Sequence, residues 1–177
     1  PRIPEVTAHL VEAGGKRLRP MLTLAAARMC GYDGPYHVHL AATVEFIHTA
    51  TLLHDDVVDE SNERRGIFSV NAIWKSKVAV LFGDYLLARG LLLAVESKNY
   101  DLLEIVSNAS REMSEGELLQ IQKSRSLNID MDTYYEVIRK KTASLIASCT
   151  ACGAKAAGAS QDVVDQVYEM GIQIGMA

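Results

Sequence analysis

Apolar residues recur at intervals of three and four along most of the chain, a period typical of helices rather than strands. Leu40, Val44 and Ile47 follow this spacing. Leu102 and Val106 repeat it further along the chain. We therefore predict helices over about residues 3–13, 20–30, 37–60, 70–95, 100–123, 132–152 and 161–177.

The prolines and glycines separate these helices. All four prolines lie at or before Pro35, and because proline is excluded from helix interiors, the rest of the chain can form long helices. Pro20 suits the first turn of a helix, and Thr133 with Glu136 has the spacing of a capping box. Strand signals are weak. We predict one all-α domain over residues 1–177, a bundle of long, mostly antiparallel helices, with breaks at 14–15, 31–35, 61–69, 97–99, 124–130 and 156–160.

Composition excludes several classes of protein. Hydrophobic residues make up 49% and charged residues 23% of the 177 residues, which is ordinary for a globular protein. The net charge of −4 and the pI near 5.7 argue against nucleic-acid binding. We expect no signal peptide, because the first residues lack a charged leader followed by an apolar core. No uninterrupted apolar run reaches the roughly 18 residues that a membrane span needs, so we expect at most peripheral membrane contact.

The three cysteines indicate a reducing compartment, because they are too few for a disulfide framework. We therefore expect a cytoplasmic protein. Cys149 and Cys152 have metal-ligand spacing, but a structural zinc site needs about four ligands and the chain offers no second pair. We expect these two cysteines to be buried helix residues.

The run from His54 to Glu60 carries the strongest chemical signal. It contains Asp55, Asp56 and Asp59 within a predicted helix, and residues four apart share a helix face. Closely spaced carboxylates need cations, and Mg²⁺ prefers carboxylate oxygens that it bridges to substrate phosphates. Arg64 and Arg65 follow within a few residues, and guanidinium groups pair well with phosphate. The pattern predicts a site for a metal and a diphosphate.

Further polar residues could complete such a site. Lys16 and Arg19 stand at a predicted helix entrance after two glycines, where free N–H groups favour anions; a solvated basic turn is the alternative. His48 lies two helical turns before Asp55. It either donates a hydrogen bond to a phosphate oxygen or is a structural residue. Three residues could add an amide, a cation and a hydroxyl to the site, and the alternative for each is an ordinary surface position: Gln120, Lys141 and Thr142.

Taken in order, these motifs resemble the trans-isoprenyl diphosphate synthases, most closely the bacterial octaprenyl to decaprenyl group that makes quinone side chains. The resemblance extends from about Pro4 to Ala177. It includes the basic turn, the aspartate-rich run and the arginine pair, and it continues through the segments Phe82–Leu86, Gly116–Gln120 and Lys141–Ser144. It implies an isoprenoid synthase fold, in which helices surround a central cavity.

The resemblance also implies a reaction, in which isopentenyl diphosphate adds to an allylic diphosphate to build a long all-trans polyprenyl diphosphate. The implied metal ligands for Mg²⁺ are Asp55 and Asp59. The implied catalytic residues are Asp55, Asp56, Asp59, Arg64 and Lys141. The implied contacts of isopentenyl diphosphate are Lys16, Arg19, His48 and Arg65, and those of the allylic diphosphate are Arg64, Gln120, Lys141 and Thr142.

Product length and assembly are further implications. Members of this family set product length just before the first aspartates, where this chain has the small residues Ala50 and Thr51; we expect a long product, and a shorter one from Ala50→Tyr or Ala50→Phe. Relatives are usually homodimers, for which Leu86–Val95 is a candidate contact and ordinary core the alternative.

The chain departs from the family in one respect. The family carries a second aspartate-rich motif, preceded by Phe-Gln, which would begin where this chain ends. We therefore expect that the sequence is part of a longer protein, and that this part alone has little or no catalytic activity. The alternative to a synthase is a non-catalytic partner subunit or an inactive fragment of one. A metal phosphohydrolase of the HD type is a weaker alternative, since His54-Asp55 provides its adjacent pair but leaves the arginines and the basic turn unexplained.

Overall fold

The computed structural model describes residues 2–96, 98, 100–126 and 130–177. The predicted breaks at 97–99 and 124–130 include residues 97, 99 and 127–129, which lie outside the described residues. The elements are, in order, α1 (Ile3–Glu12), α2 (Leu18–Met29), α3 (His37–Val58), β1 (Glu63–Arg64), β2 (Ile67–Phe68), α4 (Val70–Glu96), α5 (Tyr100–Ser126), α6 (Met131–Ile138), a π-helical segment (Arg139–Ala143), α7 (Ser144–Ala156) and α8 (Gln161–Met176).

The all-α prediction is confirmed, with one addition. β1 and β2 form a short antiparallel hairpin in which Glu63 pairs with Phe68 and Arg64 with Ile67. Its two-residue loop is Arg65-Gly66, with φ angles of 55° and 80°. A type I′ turn requires positive φ at both positions, which glycine adopts at little cost. The strands are too short for a visible alternation of polar and apolar residues, so the sequence predicted only a break here.

Two predicted details of the helix that follows position 130 are wrong. The N-cap is Asp130, whose carboxylate accepts a hydrogen bond from the backbone N–H of Thr133 at 2.7 Å, so Thr133 does not begin a capping box. The helix predicted over 132–152 is interrupted by the π segment and continues to Ala156. A π turn contains one extra residue, and neither glycine nor proline marks its position in the sequence.

The chain divides into two compact units, each discontinuous in sequence. Unit 1 comprises the residues up to Arg17 together with Glu45–Gly90; unit 2 comprises Leu18–Val44 and Leu91–Ala177. The core of unit 1 joins side chains from α1, α3 and α4, which are buried to 7% exposure or less: Val6, Ala50, Leu53, Val70, Ala79, Phe82 and Leu86. The single domain over residues 1–177 stays a prediction.

Unit 2 is built around α7, which is buried along most of its length. Small residues allow close packing on two sides. A Cβ on Gly153 would lie 2.3 Å from the carbonyl oxygen of Thr23 in α2, and a Cβ on Gly171 of α8 would lie 2.4 Å from the Cα of Ala147. Cys149 and Cys152 are fully buried in this helix, as expected, and burial raises the pKa of the Cys152 thiol.

One helix has the length and composition of a membrane span. An 18-residue window of α4 has a mean hydropathy of 1.9, and a third of the window is buried. Charged residues interrupt this stretch, which is why the sequence showed no continuous apolar run. Buried helices of ordinary cores pass the same test, and Ala79, Phe82 and Leu86 of α4 belong to the core of unit 1.

Candidate functional site

The aspartate-rich run forms the last turn of α3 and the residues just beyond it. The helix is assigned to Val58, and the N–H of Asp59 still donates to the carbonyl oxygen of Asp55 at 2.8 Å. Asp55 and Asp59 are therefore one helical turn apart, as their spacing predicted. Asp55 is half-buried and Asp59 is exposed.

Asp56 has a different environment from the other two aspartates. Its side chain is 2% exposed and accepts two hydrogen bonds from Arg64 of β1, from Nε at 2.7 Å and from Nη2 at 2.5 Å, both at Oδ1. One residue further along a helix is about 100° further around it, so Asp56 faces the protein interior. The Nη1 group of Arg64 takes no part in this pair.

The guanidinium of Arg64 stands in the field of all three carboxylates. The hydrogen bonding that Arg64 donates to the Asp56 carboxylate raises the pKa of Arg64; burial opposes this effect, and the charges of Asp56, Asp55 and Asp59 add to it. Arg64 is therefore firmly charged beside the two more accessible aspartates. A cation fixed next to a pair of carboxylates is an arrangement that suits a metal-bound diphosphate.

The basic turn of unit 1 is held in place by two arginines. Arg65 donates through Nη1 to the carbonyl oxygen of Gly14. Arg17, which has a φ of 51°, donates through Nη1 to Glu45 of α3. Lys16 lies between these two attachments and is exposed, so its ammonium group is available to an anion.

A cavity adjoins the Asp56–Arg64 pair within unit 1. Its empty volume, measured to its open mouth, is about 810 Å³. The α3 residues in its wall come from a different face than the one that carries His48 and Asp55. Its lining is mainly apolar and includes Leu10, Phe46, Leu52, Leu53, Phe82 and Leu86 together with Asp56, Arg64 and Arg65.

The second group of predicted residues lies in unit 2, at the π segment. Lys141 is 2.5 Å from Oε2 of Glu117 and donates to Oε1 of Gln120 at 3.2 Å. Both acceptors belong to α5. A cavity with an empty volume of about 810 Å³ is lined by nine residues: Gln120, Lys123, Ser124, Thr133, Tyr134, Val137, Ile138, Lys141 and Thr142. Three of the four residues predicted to contact an allylic diphosphate thus line one cavity, whereas the fourth, Arg64, belongs to unit 1.

Each unit holds part of the predicted set. Unit 1 contains Lys16, His48, Ala50, Thr51, Asp55, Asp56, Asp59, Arg64 and Arg65, and unit 2 contains Arg19, Gln120, Lys141 and Thr142. His48 is half-buried, and its carbonyl oxygen accepts a hydrogen bond from Thr51. Arg19 lies in the first turn of α2. Ala50 is 1% exposed and packs in the core of unit 1.

Two contributors were missed from the sequence, namely Glu45 and Glu117. Glu45 holds Arg17 in the basic turn, and Glu117 holds Lys141. Glu117 stands three residues before Gln120, so the two share a face of α5. That spacing could have drawn attention to Glu117, whereas the partner of Glu45 is set only by the tertiary structure.

The residues present fit a divalent metal ion that takes some of its ligands from the protein and the rest from a substrate. In the part of the chain that the structure describes, no group of three or more His, Cys, Asp or Glu side chains is arranged to hold a metal ion by itself. Magnesium commonly binds one or two carboxylates and completes its octahedral shell with water and substrate phosphates. Asp55 and Asp59 supply such a carboxylate pair.

A family model for polyprenyl synthetase matches the chain over residues 1–177. The chain belongs to the polyprenyl synthetase family. The resemblance seen in the motifs is thereby confirmed.

Solved structures of polyprenyl synthases have the same fold. The crystal structure of a decaprenyl diphosphate synthase from Rhodobacter capsulatus superposes with a TM-score of 0.96 at 57% identity, over 99% of this chain and 54% of that one. The crystal structure of a polyprenyl synthase from Caulobacter crescentus CB15, in complex with calcium and isoprenyl diphosphate, superposes with a TM-score of 0.94 at 47% identity. This match covers 97% of this chain and 52% of that one. The isoprenoid synthase fold expected from the motifs is therefore confirmed for this chain.

The curated relatives are longer than this chain. Component 2 of the heptaprenyl diphosphate synthase of Geobacillus stearothermophilus is 40% identical over 173 residues, which cover 98% of this chain and 54% of the relative. The chain thus spans about half the length of the polyprenyl synthases it matches. The motifs of the basic turn, the first aspartate-rich run and the Lys141–Thr142 pair all lie within the shared half.

Proposed function

We propose that the protein containing this chain is a trans-polyprenyl diphosphate synthase, which adds isopentenyl diphosphate to an allylic diphosphate and builds a long all-trans chain. The observation that carries the proposal is the arrangement around Arg64. Asp56 fixes this guanidinium through two hydrogen bonds, and the charges of Asp55 and Asp59 act on it. The family membership of the chain supports the same reaction.

In this proposal, the residues of the chain bind and orient two diphosphates. Asp55 and Asp59 hold Mg²⁺, which when bound neutralises charge on the departing diphosphate. Arg64, Gln120, Lys141 and Thr142 contact the allylic diphosphate, and Lys16, Arg19, His48 and Arg65 contact isopentenyl diphosphate. Fixed cations of this kind stabilise the charge that develops as the allylic C–O bond breaks. The isopentenyl double bond then forms the new C–C bond, and the released diphosphate takes up the proton that the resulting cation loses.

Apolar surroundings favour such a reaction, because water would capture an allylic cation. The side chains near the Asp56–Arg64 pair are mainly apolar, and such surroundings would protect the cation once the substrates are bound. We propose Ala50 and Thr51 as the residues that set product length, since small side chains one turn before Asp55 leave room for a growing chain. The tight burial of Ala50 means that a large side chain there must displace its neighbours.

The test is a chain-growth assay on the natural protein that carries this sequence. The protein is incubated with isopentenyl diphosphate and an allylic diphosphate, with and without Mg²⁺, and the products are measured by mass spectrometry. We expect products that lengthen by five-carbon steps only when the metal is present, and no growth from Asp55→Asn. Phosphate release without chain growth would contradict the proposal and favour the phosphohydrolase alternative.

We also propose that the protein forms a homodimer. Leu92 and Val95, from the stretch expected to form a contact, are 49% and 43% exposed, whereas Leu86 is buried. Light scattering with size-exclusion chromatography should give twice the monomer mass, and Leu92→Glu should lower it. The Geobacillus relative is named as one component of a synthase, so a monomeric protein that grows chains only with a second subunit would overturn the homodimer.

A cytoplasmic location is the corresponding proposal for the cell. All three cysteines lie in the described part of the chain and none of them forms a disulfide, and two are fully buried, as suits a reducing compartment. A long polyprenyl product would bring the protein into loose contact with membranes. Fractionation of cells should place the protein in the cytosol, with a salt-sensitive part on membranes; extraction only by detergent would contradict this location.

A further inference from the structure

The two adjacent lysines of the π segment have separate partners. Lys140 lies 3.3 Å from Oε2 of Glu115 and 3.4 Å from Oε1 of Glu136. Lys141 instead lies 2.5 Å from Oε2 of Glu117 and bonds the amide oxygen of Gln120. The local geometry therefore directs two neighbouring cations to two different acidic groups.

The close approach of α5 to the π segment explains this separation. A Cβ on Gly116 would lie 2.9 Å from Cβ of Lys140 and 2.9 Å from the backbone N of Lys141. Only a residue without a side chain lets the two backbones come so near. Glu115 and Glu117 flank this glycine, so each falls beside one of the lysines.

The Glu117–Lys141 pair is shielded from solvent on its acidic side. The Glu117 side chain is 17% exposed and that of Lys141 is 29% exposed. Oε2 of Glu117 is inaccessible to water and has no hydrogen bond of regular angle, so the ammonium of Lys141 is the charge that balances it. Partial burial strengthens such a pair relative to one on the open surface.

We propose that Glu117 is a positioning residue that fixes the ammonium group of Lys141 at the cavity shared with Gln120 and Thr142. The inference rests on the proposed function, in which Lys141 contacts the allylic diphosphate. A lysine side chain is flexible and a point charge, so it marks a defined position only when a partner holds it. Glu117 supplies the charge of that partner and Gln120 its second hydrogen bond.

The role predicts a specific kinetic effect. Without the Glu117 carboxylate, the ammonium keeps its charge and still attracts a diphosphate, but it is no longer held where charge develops during the reaction. Misplacement of a catalytic group by about 1 Å can lower a rate by around a hundredfold. We expect Glu117→Gln to lower kcat at least about tenfold and to leave the KM for the allylic diphosphate unchanged or lower.

The experiment compares Glu117→Gln, Glu117→Asp and Glu115→Gln in the natural protein. Glu115 is the matched control, because it lies on the same helix and pairs with the neighbouring lysine. The measurements are kcat, KM, thermal unfolding and the rate of reductive methylation of Lys141, read by mass spectrometry. Methylation reports on the contact directly and needs no activity.

In Glu117→Gln we expect faster methylation of Lys141 and a lower kcat than in the parent. Glu117→Asp should restore part of the protection from methylation and part of kcat. In Glu115→Gln the methylation rate of Lys141 should equal that of the parent. Chain growth by the parent with equal kcat and equal methylation in Glu117→Gln and Glu115→Gln would overturn the inference. If the parent grows no chains but Glu117→Gln still methylates faster, the contact stands and the proposed function fails. Unchanged methylation overturns the positioning role in either case.

Discussion

The replacement of Asp56 by asparagine tests whether the three aspartates have different roles. The change keeps the shape of the side chain and removes its charge, so Arg64 loses a charged acceptor for its Nε and Nη2 groups. Hydrogen bonds to charged groups each contribute about 1.5–3 kcal/mol, and removing one partner of a fully buried ion pair costs about 3–5 kcal/mol.

The exposure of the two side chains narrows the expected loss of unfolding free energy. Asp56 is 2% exposed but Arg64 is 32% exposed, so water can solvate the guanidinium after the change. Both hydrogen bonds end on Oδ1, and an amide oxygen at that position can still accept them, although without the charge. We therefore expect the free energy of unfolding to fall by about 2–3 kcal/mol, toward the lower end of the range for buried pairs.

Urea unfolding at neutral pH measures this effect. With a slope of about 1–3 kcal/mol per molar urea, the midpoint should fall by about 1 M. Asp55→Asn is the matched control, because Asp55 is the preceding residue and is only half-buried. Its midpoint should stay within about 0.3 M of the parent, since neutralising a partly solvated carboxylate costs less than neutralising a fully buried one. Equal midpoints for the two variants would refute the distinction between a structural Asp56 and a metal-binding Asp55.

Three further changes test other parts of the account. Ala50→Tyr should shorten the product, measured by mass spectrometry. Because Ala50 is 1% exposed, the larger side chain should also lower the free energy of unfolding by about 1–3 kcal/mol through overpacking. Product lengths equal to those of the parent would contradict a role of Ala50 in chain length. Gly116→Ala should destabilise the protein by a similar amount, since its Cβ would meet the π segment at 2.9 Å, and the exposed Ser114→Ala is the control that should unfold like the parent. The hydrogen bond from the Thr133 N–H holds the pKa of Asp130 below its ordinary value of 3.8. The stability that this carboxylate contributes is therefore present above pH 3.8 and is lost as pH falls through the lowered pKa. The difference in unfolding free energy between the parent and Asp130→Ala should shrink below pH 3.8, and a constant difference down to about pH 2 would contradict this prediction.

The sequence predicted most of the helices because their burial follows a simple period. Residues such as Leu40, Val44 and Ile47 are all buried to 4% exposure or less, as their spacing indicated. The hairpin could not be predicted in this way, since strands of two residues show no alternation. Its one local signal was Gly66, because glycine is the residue preferred at the second position of such a turn.

The π segment and the ion pairs depended on tertiary structure. Nothing local distinguishes 139–143 from the helix around it; the structure shows that α5 and α8 pack closely there, where a Cβ on Gly175 would lie 2.4 Å from the Cα of Ala143. The candidate site was predictable where residues share one helical turn, as Asp55 and Asp59 do. The pairing of Asp56 with Arg64 was not, because it needs the hairpin to return the chain to α3.

The most direct test of the metal-diphosphate site is a calorimetric titration with a non-cleavable allylic thiodiphosphate. The parent, Asp55→Asn and the double variant Asp55→Asn with Asp59→Asn are titrated with and without Mg²⁺. The account predicts that Mg²⁺ strengthens binding to the parent at least about tenfold, that the single variant loses much of this gain, and that the double variant loses all of it. Binding of equal strength with and without the metal, or an unchanged gain in the double variant, would contradict the account.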